Sequence, residues 1–136
     1  MSEHAINNAK GHAESITAMI QAMNQADETG QPVEYEGKTF EDSEALRERA
    51  YEGPLEVSVR SGWHAPGGES EPEEYLILLS TGGPALRIVG DLDRGEPATA
   101  ELQWQDWGTL WTRHHDTTTE EDTAILEYAR LFYFGE

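Results

Sequence analysis

The chain has 136 residues, with 27 Asp and Glu against nine Lys and Arg, a formal net charge of −18 and no cysteine. That length suits one domain spanning 1–136, and the lack of Cys excludes disulfide frameworks and Cys-based zinc sites. So large an acidic excess goes beyond the needs of solubility. It disfavours direct contact with nucleic-acid phosphate or an anionic membrane surface and directs attention to a cationic partner.

Residues 3–26 read as a helix. Ile6, Ala9, Ala13, Ile16, Ile20 and Met23 recur at steps of three and four, which places them on one stripe. The stripe is either a core face or the seam of a homodimer. Within 1–30 it is the segment with the character of an interaction element, although small Ala at alternate seam positions weakens a coiled coil. After a polar break at Gly30 and Pro32, Val33-Glu34-Tyr35 and Lys38-Thr39-Phe40 flank Glu36-Gly37, the pattern of a short hairpin. Asp42 or Ser43 is placed to cap a short helix over 44–52 that ends at Gly53-Pro54.

The second half has strand periodicity. Leu55, Val57 and Val59 alternate with Glu56, Ser58 and Arg60, and Trp63 keeps their parity. Residues 64–72 read as a loop. Tyr75-Leu76-Ile77-Leu78-Leu79 is apolar on both sides, which predicts a central strand covered on both faces. Ala85 to Val89 returns antiparallel after the turn at 81–84. Asp91 to Pro97 reads as an acidic turn. Residues 98–107 form another strand, with Ala98, Ala100, Leu102 and Trp104 inward. Thr118 and Glu121 stand in capping-box relation ahead of a helix over 120–132. The expected fold is α+β: one four-stranded antiparallel meander packed with N-terminal and C-terminal helices.

No constellation carries catalysis. His114-His115-Asp116 points adjacent ligands in different directions, a poor chelate without help from His64. Asp91, Asp93 and Glu96 lack the bidentate Glu of a calcium loop. Ser61 and Ser80 lack a nucleophile elbow, and Gly82-Gly83-Pro84 lacks the Lys of a phosphate loop. Neither an enzyme nor a cofactor or metal is expected. Trp107 and Trp111 read either as two-sided core packing or as anchors in a protein interface, where Trp is enriched.

The runs Arg60-Ser61-Gly62-Trp63, Glu74-Tyr75, Thr81-Gly82-Gly83-Pro84, Gln105-Asp106-Trp107-Gly108-Thr109 and Tyr133-Phe134-Gly135-Glu136 resemble a family of small acidic proteins of phages, prophages and plasmids. The resemblance spans roughly residues 55–136. It implies a bacterial host cell and an anti-defence context, but no catalytic residues. Met1-Ser2-Glu3-His4-Ala5 lacks a basic n-region ahead of an apolar run, and no stretch approaches the ~20 apolar residues of a spanning helix, so a cytoplasmic location is expected. Together these features predict an inhibitor that imitates the charge of nucleic acid. Glu69, Glu71, Glu73, Glu74, Asp91, Asp93, Glu96 and Asp106 would enter an Arg- and Lys-lined channel of a CRISPR effector or restriction enzyme, with Trp107 or Trp111 as anchor. The alternative is a structural or assembly module joined through the 6–23 stripe, its acidity serving solubility or salt adaptation.

Overall fold

The computed structural model describes residues 3–68, 71–81, 84–106 and 109–134. Helix α1 (Glu3–Thr29) leads into the hairpin β1 (Val33–Tyr35) and β2 (Lys38–Phe40), then α2 (Ser43–Tyr51). Six strands follow: β3 (Glu56–Ser61), β4 (Pro72–Ser80), β5 (Ala85–Asp93), β6 (Glu96–Pro97), β7 (Glu101–Gln105) and β8 (Thr112–Arg113). Helix α3 (Thr119–Ala129) comes last. The class is α+β with antiparallel pairing throughout, as expected. In place of one four-stranded meander there is a six-stranded sheet in the order β3-β4-β5-β7-β8, with β6 on β5, and a separate two-stranded sheet β1-β2. The additional strands, β6 and β8, have two residues each, too short to leave a period-2 signature in sequence.

The long helix consumes its own apolar stripe. Ala9 and Ala13 have no exposed surface, and Ile16, Ile20 and Met23 are each 6% exposed. They belong to one core with Leu46, Ile77, Leu86, Ile88, Leu102 and Ile125, and α1 packs on α3, α2, β1, β5 and β7. The seam predicted for a dimer is therefore this chain's own core, and of its six residues only Ile6 is exposed. Small side chains let helices approach closely, which accounts for Ala at positions that a self-sufficient coiled coil would fill with Leu or Ile.

Local chemistry fixes the ends. The Asp42 carboxylate accepts from Ala45 N at 2.9 Å, and Thr118 and Glu121 form a reciprocal capping box at 3.0 and 2.9 Å. Both two-residue turns are left-handed at each position: Glu36 and Gly37 have φ 51° and 79°, Arg94 and Gly95 have 56° and 83°. Such a turn matches strand twist. Glu36 is held in this costly conformation by Ser15 Oγ at 3.2 Å and the Arg49 guanidinium at 3.4 Å. The closing aromatics also find places. Phe134 is buried against Tyr75 at 4.9 Å between ring centroids, and Phe132 lies between Tyr51 and Tyr128 at 5.5 and 5.4 Å.

The helices lie on one side of the six-stranded sheet. Tyr75, Ile77, Leu86, Ile88, Leu102 and Trp104 are buried on that side, while Leu76, Leu78 and Val89 on the opposite face are only half-buried. The expectation that β4 would be covered on both faces is thus corrected. Its apolar run reflects a neighbour-shielded open face rather than a second layer. Ala98, expected inward, is exposed: its N–H donates to Asp91 O at 2.8 Å, which sets it beside Asp91, and residues 99–100 then face Gly90 together before pairing resumes at Glu101 and Val89, an extra residue that shifts the alternation.

Candidate functional site

Two features of the open face carry charge and shape. The first is a row of carboxylates at the end where β4 begins and β5 ends. Glu74 lies directly opposite Asp91, and Asp93 lies directly opposite Glu96 across the Arg94-Gly95 turn. Residues opposed across an antiparallel pair share a face, so these four acids occupy one side of the sheet. Like charges so placed destabilise the strand pair. Arg60 relieves Glu74 by an ion pair across β3 and β4, and this hydrogen-bonded carboxylate raises the Arg60 pKa. Asp91 is tied to the segment between β6 and β7, its N–H donating to Thr99 Oγ1 at 2.9 Å and its carbonyl accepting from Ala98 N at 2.8 Å.

Thr99 approaches because residue 90 has no side chain. A Cβ on Gly90 would stand 2.1 Å from Thr99 O and 2.8 Å from the Tyr75 ring. The Tyr75 hydroxyl donates to that same carbonyl at 2.6 Å, and burial pushes the Tyr75 pKa well above the ordinary phenol value. Tyr75, Gly90 and Thr99 therefore form a rigid brace under the carboxylate row.

The second feature is a shallow depression of about 690 Å³ in the middle of the open face. Arg60, Arg87 and Arg113 line it together with Glu74, Asp91 and Glu101, so three of the nine Lys and Arg side chains of a strongly acidic chain meet here. Arg87 donates from Nε to Gln103 Oε1 at 2.8 Å, and its Cζ sits 4.0 Å above the Trp111 ring, a cation–π contact. Burial first, then the nearby Arg60 charge, lower the Arg87 pKa, and Glu101 opposes them. Arg113 approaches Glu101 at 3.9 Å. Opposite charges balance inside the depression, Glu74 and Asp91 included, which leaves Asp93 and Glu96 beyond its rim as the uncompensated part of the row.

The predicted partner-binding residues divide accordingly. Glu74, Asp91, Asp93 and Glu96 come together. Glu71 and Glu73 lie on the same end of β4. Glu73 sits at the register shift between β3 and β4, where its carboxylate accepts from Gly62 N at 2.9 Å. Asp106 follows β7, whose Gln105 pairs with Ala85 at the far end of β5; at ~3.3 Å per residue that is about 20 Å from Asp91. Trp111 is half-buried beneath Arg87 rather than free as an anchor. Glu69 and Trp107 lie outside the described residues.

Sequence reasoning missed the Arg87–Trp111 pair and the burial of His114. The sequence places His114 in a polar loop, yet it is 4% exposed and its Nε2 has no hydrogen-bond partner. Burial lowers its pKa, against the raising influence of Asp116 and Glu121. For the arginine cluster the available signal was the alternation of Arg87, Gln103 and Arg113 at outward strand positions. Among the described residues no group of three or more His, Asp or Glu is arranged to hold a metal ion, and no helix is long and apolar enough to cross a membrane. The chain matches no family model, no curated protein and no solved structure.

Proposed function

We propose that this chain is an acidic docking protein that acts by occupation rather than catalysis. Its Glu74, Asp91, Asp93 and Glu96 row enters a cationic groove of a nucleic-acid-handling protein, such as a CRISPR effector or restriction enzyme, and keeps nucleic acid out. The observation that carries this reading is the direct opposition of Glu74 to Asp91 and of Asp93 to Glu96. Folding gains nothing from like charges in register, whereas a partner presenting Lys and Arg would convert the same repulsion into steering and affinity. The resemblance to phage and plasmid proteins supports the anti-defence setting. The close approach of Thr99 to Gly90 supports a preformed surface, because it fixes the backbone on which the row stands.

The test compares immobilised wild type with an Asp91→Asn, Asp93→Asn, Glu96→Gln variant in nuclease-treated bacterial lysate at low and high salt. The expected result is a protein retained by wild type at low salt, released at high salt, lost from the variant, and unable to bind duplex DNA while wild type occupies it. A retained protein that still binds DNA, or that ignores the amide substitutions, refutes the proposal.

A further inference from the structure

Strand β3 closes the six-stranded sheet. One edge pairs with β4, and the other has no strand partner among the described residues. Natural edge strands are blunted by brevity, proline, bulges or charge. The body of β3, Glu56-Val57-Ser58-Val59-Arg60, has no proline, carries no net charge and runs without a register shift until Arg60/Ser61. Val57 and Val59 lie opposite Ile77 and Tyr75, on the helix side of the sheet. The helices do not reach far enough to cover them: Val57 is 41% exposed, Val59 43%, Leu55 60%, and Trp63, just beyond the strand, fully exposed. An apolar row on a free edge, in so acidic a chain, is a surface suited to a strand.

The sequence of this edge is complementary to itself. Set two copies antiparallel about a two-fold axis through Ser58. Glu56 of each then faces Arg60 of the other, Val57 faces Val59 twice, and Ser58 faces Ser58. A two-fold axis normal to the sheet keeps both charged pairs on the open face and both valine pairs on the helix side, as an isologous interface requires. Moving the axis to Val57 or Val59 places Glu56 or Arg60 opposite serine and loses both ion pairs. Arg60 already holds Glu74, but its side chain is 79% exposed, and a guanidinium has five N–H donors, enough for two carboxylates.

We propose that β3 is a self-association edge, through which two copies of this chain join their sheets by antiparallel β3–β3 pairing centred on Ser58. The two carboxylate rows then lie at opposite ends of one continuous sheet, on the same face. Repulsion between two chains of −18 opposes the contact, while the edge itself is locally neutral. Added salt screens the distant charges, the Debye length being ~8 Å at physiological ionic strength, and strengthens pairing. Docking to a basic partner weakens with salt, so failure of either proposal is distinguishable from failure of the other.

Sedimentation equilibrium of the full chain in low and high sodium chloride tests the edge. The expected result is a reversible equilibrium between 15.2 kDa and twice that mass, shifted toward dimer by salt. Glu56→Arg and Arg60→Glu each place two like charges in contact and raise the dissociation constant about tenfold or more. An equimolar mixture of these two variants restores association as a heterodimer, since the guanidinium introduced at position 56 of one chain then faces the carboxylate introduced at position 60 of the other. Val59→Lys, at an already exposed position, also gives monomer, and far-UV circular dichroism checks that each variant is folded. Wild type monomeric at high salt, single charge variants that still dimerise, or a mixture that stays monomeric each overturn the proposal.

Discussion

Replacing Asp93 with Asn removes one charge from the least compensated part of the carboxylate row without changing the shape of the side chain. Asp93 and Glu96 are direct cross-strand partners on either side of a two-residue turn. Their carboxylates are therefore about 6 Å apart by the geometry of an opposed pair. At that separation two unit charges in an aqueous dielectric repel by roughly 0.7 kcal/mol, and physiological salt reduces this to about 0.3 kcal/mol. Asp93→Asn is therefore expected to stabilise the fold by about 0.3–0.7 kcal/mol, a rise of about 1–3 °C in Tm for a domain of this size. Urea denaturation at low and at high salt measures it. The gain belongs to the low-salt arm and should shrink at high salt. Glu74→Gln is the contrasting control, because it also removes a repulsion but breaks the Arg60 ion pair, so it should bring no comparable gain. A neutral or destabilising Asp93→Asn at low salt, or a gain that survives high salt, would show that electrostatic repulsion in the row is not what the substitution relieves.

Gly90→Ala drives a methyl into Thr99 O; separating the strands enough to admit it breaks the Tyr75–Thr99 and Asp91–Thr99 hydrogen bonds. Overpacking of about 1–3 kcal/mol plus about 1 kcal/mol per lost hydrogen bond predicts a loss of about 3–5 kcal/mol in chemical denaturation, and a loss under about 1 kcal/mol would contradict the close approach of Thr99 to Gly90. His114, buried with a lowered pKa, is neutral in the folded state at a pH where the unfolded chain already takes up a proton. Its contribution is complete above the ordinary histidine range and is lost as pH falls from about 6.5 toward the lower folded value, with a slope of at most about 1.4 kcal/mol per pH unit. His114→Phe should flatten the stability profile between about pH 6.5 and 5.5, and an unchanged slope would place the proton uptake elsewhere.

Much of the fold was legible because burial and periodicity agree. The α1 stripe repeats at helical steps along most of the helix, and Leu86, Ile88, Leu102 and Trp104 alternate as inward strand positions. Legibility failed where chain order and spatial order diverge. Asp106 stands with Asp91, Asp93 and Glu96 in sequence, yet β7 carries it back to the other end of the sheet. Leu76 and Leu78 read as core because an apolar run does not tell whether a strand is covered by a second layer or only flanked by long side chains. The stripe 6–23 left both core and dimer seam open, since a helix face shows what must be covered but not by which element. His114 gave no signal because burial of a single polar residue between a short strand and a helix cap breaks no period. The opposed acids were visible as clusters, but their register depends on where each turn falls, and a one-residue slip reverses every face.

The helices press mainly on β5 and β7, and β3 is secured to the molecule chiefly by β4. Cohesion therefore falls off laterally across the sheet, from strands clamped by helical weight to an outermost strand retained by a single ladder. Such a gradient makes amide exchange faster in β3 than in β5 and β7, and it lets the margin peel open without melting the centre. The same strand that would meet another chain is thus one the molecule releases more readily than the strands beneath its helices.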